Sequence, residues 1–255
     1  MQDIYVGDEG KGYPLVLIHG FLGSSKMWKP QIDFFKKNFR VITPDLPGFG
    51  KSNKIKSHNN INSIADTILE NLKIKKIDNY YLLGHSMGGM IVQEMAKKDG
   101  DKILKLICYS TGPIGEMPER FETIEESRQK LKKIGLESAS KHIAKTWFIL
   151  GEKAEYFNLC IQSGKETSIE AAENSLIAIK KYNGVNTLKN IKNETLIIWG
   201  DKDKSYNLKP IKTLEKNISN SSLAIFEGCA HNVHLEKIEE FNRTVFNFIN
   251  DNLNE

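Results

Sequence analysis

The chain has few cysteines, no long apolar run and no secretory leader, and each absence excludes a class of protein. Its three cysteines are an odd number, widely spaced and without metal-ligand spacing, which favours free thiols over a disulfide framework and excludes structural zinc. Apolar runs reach about four residues, far short of the roughly 20 that span a bilayer. Residues 1–10 do not form a charged-then-apolar leader. We therefore expect a cytoplasmic protein with no membrane segment and no metal.

The chain also lacks a concentration of one charge. Its 36 basic and 32 acidic residues leave a net charge of +4, and both signs are mixed along the whole length. The densest basic clusters, residues 73–76 and 130–133, lie on patterns typical of solvated helix faces. A nucleic-acid binder gathers its basic residues on one face, often with aromatic side chains that stack on bases. The sequence therefore predicts no nucleic-acid partner.

Short apolar runs alternate with amphipathic stretches along most of the 255 residues. The runs are rich in Ile, Leu and Val, as in strands buried on both faces of a parallel sheet; they cover residues 14–19, 40–45, 80–84, 104–110, 195–200 and 223–226. Helical patterns lie between and after them, at residues 27–38, 61–72, 87–97, 208–215 and 238–249. A further strand is expected at about residues 3–6. This alternation predicts an α/β fold with a mostly parallel central sheet, flanked by helices, of seven strands.

One interval breaks the alternation. Residues 113–190 contain no convincing strand but several helical patterns, at about residues 118–133, 137–150, 153–163 and 169–181. We expect this insertion to be an all-helical lid between two core strands, with residues 1–112 and 191–255 forming the core. Ligands of open α/β sheets bind outside the carboxyl ends of the strands. An insertion that begins there is placed to cover such a site.

The strongest local motif is Gly84-His85-Ser86-Met87-Gly88, which follows a predicted strand and begins a predicted helix. A serine on a sharp strand-to-helix turn needs a strained backbone, and side chains two residues to either side would collide, so glycine is required at both places. The turn exposes the hydroxyl at the edge of the sheet and near a helix N-terminus, whose dipole favours developing negative charge. Ser86 is therefore a candidate nucleophile.

The sequence resembles the α/β-hydrolase fold family over nearly its whole length. The matching segments come in the family's order, at residues 19–21, 44–52, 84–89, 199–203 and 228–231. The resemblance implies a serine nucleophile, an acid and a histidine in that order along the chain. His231 is the candidate base, because it follows the last strand and precedes the C-terminal helix. His234 would make a metal pair with it only if a third ligand were near, and none is apparent.

Two carboxylates compete for the role of the acid. The family's acid stands three residues after the glycine that ends the strand, which is Asp203, whereas Asp201 fits a turn. The chain departs from the family pattern just beyond, where Tyr206-Asn207 replaces a frequent Val-Pro pair, and this leaves the conformation of the loop open.

The resemblance also implies an oxyanion hole formed by the backbone N–H groups of Phe21 and Met87. Apolar residues of the insertion are candidates to line the substrate pocket, and Trp147 and Phe148 are preferred among them. No cofactor is implied. The oligomeric state is left open.

A complete Ser86, Asp203 and His231 set predicts hydrolysis of a small or medium carboxylic ester, or of a lactone, through an acyl-enzyme. A serine instead of an aspartate at the nucleophile position argues against haloalkane dehalogenase and epoxide hydrolase chemistry. The same fold and triad also serve carbon–carbon bond hydrolases, lyases and perhydrolases, and these alternatives stay open. A ligand receptor with a hydrolase-like fold is a further alternative, which the complete triad disfavours.

Overall fold

The computed structural model describes residues 2–117 and 119–250, and a seven-stranded sheet forms its centre. The spatial order of the strands is β1-β3-β2-β4-β5-β6-β7. Only β1 runs antiparallel to its neighbour, so the predicted fold class is confirmed. The strands are Val6–Glu9 (β1), Pro14–Ile18 (β2), Arg40–Pro44 (β3), Tyr80–His85 (β4), Ile103–Tyr109 (β5), Thr195–Gly200 (β6) and Ser221–Phe226 (β7).

The central strands are apolar at almost every position because helices cover both faces of the sheet. Successive side chains of a strand point to opposite faces. Val16 and Ile18 of β2 accordingly join one core cluster, whereas Leu15 and Leu17 join the other. The helices are Lys29–Phe35 (α1), Ile61–Ile74 (α2), Met87–Asp99 (α3), Ile124–Ala144 (α4), Phe157–Lys165 (α5), Ile169–Lys181 (α6), Val185–Leu188 (α7), Leu208–Asn217 (α8), Val233–Glu236 (α9) and Ile238–Asn250 (α10).

The first strand lies later in the chain than predicted. It covers Val6–Glu9 instead of residues 3–6, and it pairs with β3 from Val6 opposite Pro44 to Glu9 opposite Val41. The apolar residues at positions 4 and 6 suggested an earlier strand. As an edge strand, however, β1 tolerates polar residues, and its Asp8 accepts hydrogen bonds from Arg40 at 2.6 and 2.9 Å.

Between β5 and β6, the described residues of the 113–190 insertion form helices and no named strand. Helix α4 begins with a reciprocal cap between Thr123 and Glu126. Its predicted start at Pro118 lies outside the described residues. A non-helical residue, Gly135 with φ 76°, interrupts α4 where two separate helices were predicted. No helix in the described part of the chain is long and apolar enough to cross a membrane.

Candidate active site

Ser86 lies on a strained turn between β4 and α3. Its φ of 57° and ψ of −117° fall outside the favoured regions for a residue with a side chain. A Cβ atom on Gly84 would lie 2.3 Å from the carbonyl oxygen of Gly88, and one on Gly88 would lie 2.4 Å from that of Ile18. Both glycines are therefore required by close backbone approach. The strain at Ser86 directs its side chain away from the sheet, at the start of α3.

Asp203 and His231 form a buried hydrogen-bonded pair. The Nδ1 atom of His231 lies 2.8 Å from Oδ2 of Asp203, and the second carboxylate oxygen accepts hydrogen bonds from the backbone N–H groups of Ser205 at 2.7 Å and Tyr206 at 3.2 Å. Asp203 is thus an acceptor on both oxygens, so Nδ1 carries the proton and Nε2 of His231 is free to accept one. Asp201 instead accepts from the Gly228 amide at 2.6 Å, in a turn.

Aromatic side chains hold the His231 ring in place. Tyr206 stacks on it at a centroid distance of 5.9 Å and an angle of 11°, and Trp147 lies 6.2 Å away. The carbonyl oxygen of His231 accepts a hydrogen bond from the Tyr109 hydroxyl at 3.0 Å. Burial, with the neighbouring histidines, lowers the pKa of His85, which stays neutral beside this ring. His231 therefore has a defined orientation.

Ser86 and His231 line the same small cavity, which we call the site cavity. The described contacts include no hydrogen bond between the Ser86 hydroxyl and His231. Burial raises the pKa of Tyr206 to about 12, and the charge of Arg120 opposes that shift first, followed by the hydroxyl groups of Ser86 and Thr111 close to its phenol. Catalytic hydrogen bonds are often loose before substrate binds. The space open to a water-sized sphere is about 20 Å³, enough for about one water molecule.

The two backbone N–H groups predicted as an oxyanion hole belong to residues next to Ser86 in space or in sequence. Phe21 lines the site cavity and Met87 is the first residue of α3. Neither amide donates a hydrogen bond to another described residue. A Cβ on Gly20 would lie 2.9 Å from both the His85 carbonyl oxygen and the Ser86 Cβ. Only glycine therefore lets the loop before Phe21 approach the serine this closely.

His19 and Asp45 brace that loop. The Leu46 amide donates to Nε2 of His19 at 3.0 Å, so Nδ1 carries the proton and donates to the Gly20 carbonyl at 2.8 Å. Asp45 accepts from the Ser25 amide at 2.6 Å and from a second amide in the following turn. Both side chains are buried and bound to backbone, as structural residues are.

The two predicted pocket residues differ in position. Trp147 lines the site cavity, together with Ile143 and Ile179 of the insertion. Phe148 is buried in the larger core cluster and does not line the cavity. Contact between either side chain and a substrate stays a prediction.

Sequence reasoning missed Tyr206 and several apolar residues of the site cavity, and it left Arg120 open between contact with an acidic substrate and a solvated helix face. Tyr206 occupies the position at which the chain departs from the family pattern, and that departure was the available signal. Arg120 was one of several basic residues of the insertion, with nothing in its local pattern to separate it from residues on solvated helix faces. Both side chains line the cavity with Ser86.

No group of three or more His, Cys, Asp or Glu side chains lies where it could hold a metal ion, within residues 2–117 and 119–250. His234 is fully buried, and its Nδ1 lies 3.0 Å from the Tyr109 hydroxyl. Its ring packs against Trp28 at 4.7 Å. The contacts of His234 are those of a core side chain.

Comparisons with known proteins agree with the fold of the chain. Residues 13–134 match the family model described as the α/β hydrolase fold. The chain is 27% identical to the AB hydrolase superfamily protein YisY of Bacillus subtilis, over 97% of this chain and 95% of that protein. It is 26% identical to a pimeloyl-[acyl-carrier protein] methyl ester esterase of Legionella pneumophila, over 97% of this chain and all of the relative.

A solved structure shows the same overall arrangement. The esterase EaEST of Exiguobacterium antarcticum superposes with a TM-score of 0.89 and 26% identity, over 96% of this chain and 95% of that one. The likeness therefore extends over both the core and the insertion. On its sheet topology, its family match and its full-length relatives, the chain has the α/β-hydrolase fold.

Proposed function

We propose that the protein is a serine hydrolase that cleaves a small or medium carboxylic ester, or a lactone, through an acyl-enzyme. The observation that carries this proposal is the buried pair of His231 and Asp203, 2.8 Å apart, in the same cavity as Ser86 on its strained turn. The names of two similar proteins, a methyl ester esterase and an esterase, support the ester class.

In the proposed reaction, Ser86 attacks the ester carbonyl while Nε2 of His231 removes its proton. Asp203 keeps the other ring nitrogen protonated and stabilises the imidazolium that forms. The amides of Phe21 and Met87 donate to the negative oxygen of the tetrahedral intermediate. His231 then protonates the departing alcohol. Water repeats the attack on the acyl-enzyme and releases the acid.

We further propose that the 113–190 insertion acts as a lid. Five residues of the insertion line the site cavity: Gly115, Arg120, Ile143, Trp147 and Ile179. The enclosed space of the cavity holds about one water, which supports movement of the lid when substrate enters. Closure over the substrate then excludes bulk water from the acyl-enzyme step until the alcohol has left.

A substrate panel tests the ester proposal. Wild type, Ser86→Ala and His231→Ala are assayed with p-nitrophenyl esters of increasing acyl length and with lactones. We expect wild type to turn over at least one class and both variants to lose on the order of 10⁴-fold or more in kcat. Ser63→Ala and His58→Ala, which replace the same residue types outside the cavity, are the controls and retain activity.

Three outcomes would overturn the proposal. Full ester turnover by Ser86→Ala would show that another group is the nucleophile. Absence of turnover by wild type, with tight binding of a small molecule, would favour a receptor instead. Turnover of carbon–carbon substrates alone would move the chemistry to that branch of the family.

A further inference from the structure

Arg120 differs from the other arginines of the chain in having no acidic partner. The sequence contains four arginines, and three of them lie within 4 Å of a carboxylate: Arg40 of Asp8 at 2.6 Å, Arg128 of Glu125 at 2.8 Å and Arg243 of Glu239 at 4.0 Å. No carboxylate among residues 2–117 and 119–250 forms an ion pair with Arg120. The charges of Glu122 and Asp203 act on Arg120 from beyond that distance, so its guanidinium contacts no carboxylate in the described chain.

The hydrogen bonds of Arg120 use only a small part of its guanidinium. Nη1 donates to the Glu122 carbonyl oxygen at 3.3 Å and to the Ser127 hydroxyl at 3.4 Å, and both contacts are long and neutral. The Glu122 carboxylate accepts instead from Lys130 at 2.5 Å and from Ser127 at 2.6 Å. A guanidinium has five N–H donors. Nε and Nη2 donate to no described residue.

Arg120 lies at the site cavity, near enough to Tyr206 for its charge to lower the pKa of that phenol. Arg120 is half-buried and lines this cavity together with Ser86 and His231. Arg120 is the one residue of this lining with a permanent charge, because arginine stays protonated even where burial lowers its pKa. The histidine His85, which also lines the cavity, is neutral. No carboxylate lines the cavity. The guanidinium lies over the Phe121 ring, 4.7 Å from its centroid, but it contacts no anion, and a bound anion would recover part of the free energy that burying the charge costs.

We infer that Arg120 binds an ionised carboxylate of the substrate, so that the preferred substrate is an ester or lactone that carries a second, free acid group. This inference rests on the proposed ester or lactone hydrolysis and deepens it. A planar guanidinium with Nε and Nη2 free matches a carboxylate through two parallel hydrogen bonds. A phosphate dianion would call for a second cation, and the lining contains none.

The backbone next to Arg120 contacts the loop that carries Asp203, so the experiment must distinguish a structural disturbance from a loss of carboxylate binding. The amide of the next residue, Phe121, donates to the Lys204 carbonyl oxygen at 3.0 Å. Lys204 follows Asp203, so a change at Arg120 that moved this segment would disturb the acid of the triad. Such a disturbance would lower activity on every ester. Loss of carboxylate recognition would lower it only on the acidic one.

The experiment compares two isosteric substrates. Monomethyl glutarate carries the free carboxylate, and methyl glutaramate replaces it with a neutral amide; monomethyl succinate and adipate vary the spacing. Wild type, Arg120→Met, Arg120→Lys and Arg128→Met are assayed, each after its thermal melting shows a folded protein. Arg128→Met removes an arginine of the same insertion that lies outside the cavity.

We expect wild type to prefer at least one acidic ester, and Arg120→Met to lose about 10- to 100-fold in kcat/KM on it. Activity of this variant on the neutral ester should change by less than about threefold, and Arg120→Lys should recover part of the preference because it keeps the charge. Arg128→Met should match wild type. Equal loss on both esters, or no preference in wild type, would overturn the inference.

A binding measurement keeps the inference testable if no ester is cleaved. Calorimetry with Ser86→Ala measures the affinity for monomethyl glutarate and for methyl glutaramate, with and without the Arg120→Met change. Tighter binding of the acidic ester that depends on Arg120 would support the carboxylate site even though the proposed chemistry had failed. Equal affinities, or binding of neither ester, would overturn it.

Discussion

The core and the helical insertion contribute to the same cavity, but their sequences constrain it in different ways. The core contributes residues on turns at the carboxyl ends of strands, where backbone approach within 3 Å permits only glycine and holds Ser86 in place. The insertion contributes side chains from packed helices, such as Trp147 and Arg120. The core side of the cavity is therefore constrained by backbone geometry that a motif reveals, and the insertion side by side chains that leave no local motif.

The largest effect should come from the acid on the core side. Asp203→Asn removes the carboxylate that holds His231 in its tautomer, and we expect kcat to fall on the order of 10⁴-fold. Asp201→Asn should change kcat by less than about fivefold, since Asp201 accepts from the Gly228 amide in a turn. Steady-state kinetics with the best ester from the panel measure both. The reverse order would reassign the acid.

Trp147 and Phe148 are neighbours in the insertion, but only Trp147 lines the site cavity. Phe148→Ala empties a core position that is 3% exposed, and we expect it to lower the free energy of unfolding by about 3–5 kcal/mol with kcat/KM nearly unchanged. Trp147→Ala should instead lower kcat/KM about tenfold, because its ring lines the site cavity. Denaturant unfolding and ester kinetics on both variants measure this. A kinetic loss confined to Phe148→Ala would contradict the assignment.

Gly20→Ala tests the close approach on the core side. The new Cβ would lie 2.9 Å from the His85 carbonyl oxygen and push the loop that carries Phe21 away from the serine. Loss of one oxyanion donor costs about 100-fold or more in kcat, and we expect that loss here. Gly100→Ala is the control, since its nearest contact is a side-chain oxygen at 3.3 Å. An unchanged kcat in a folded Gly20→Ala protein would exclude the Phe21 amide.

The smallest expected effect is on stability against pH. Burial and the nearby His231 lower the pKa of His234 to about 3, against about 6.5 in an unfolded chain. The unfolded state therefore binds the proton first as pH falls, and this residue alone removes about 1.4 kcal/mol of stability per pH unit below about 6.5. His234→Gln should flatten the loss that denaturant unfolding measures in wild type from pH 7 to 5. Equal slopes would contradict the buried neutral imidazole.

The parts of the fold that follow from buried strands were predictable from the sequence. An apolar run such as residues 195–200 is typical of a strand that is covered on both faces. Strand β6 occupies these same residues. Edge strand β1 was misplaced because its polar residues carry no such pattern. The break in α4 at Gly135 lies between two predicted helices, since a glycine with positive φ ends the helical repeat.

The candidate site was predictable where a residue type is required by geometry. Glycines at positions 84 and 88 have steric reasons that a single sequence displays, whereas the choice of Asp203 over Asp201 came from the resemblance to the family. Tyr206 and Arg120 have no such steric reason, because their place in the cavity depends on how the insertion packs against the loop after β6. That packing involves distant segments, such as the amide of Phe121 and the carbonyl of Lys204.

Covalent labelling measures whether Ser86 is a nucleophile that depends on His231, as we propose. Wild type, Ser86→Ala and His231→Ala are treated with a fluorophosphonate, and intact mass and peptide mapping locate the adduct. We expect one adduct per chain, on Ser86, absent from Ser86→Ala and formed far more slowly in His231→Ala. Ester turnover by wild type without labelling, or an adduct on another residue, would contradict it.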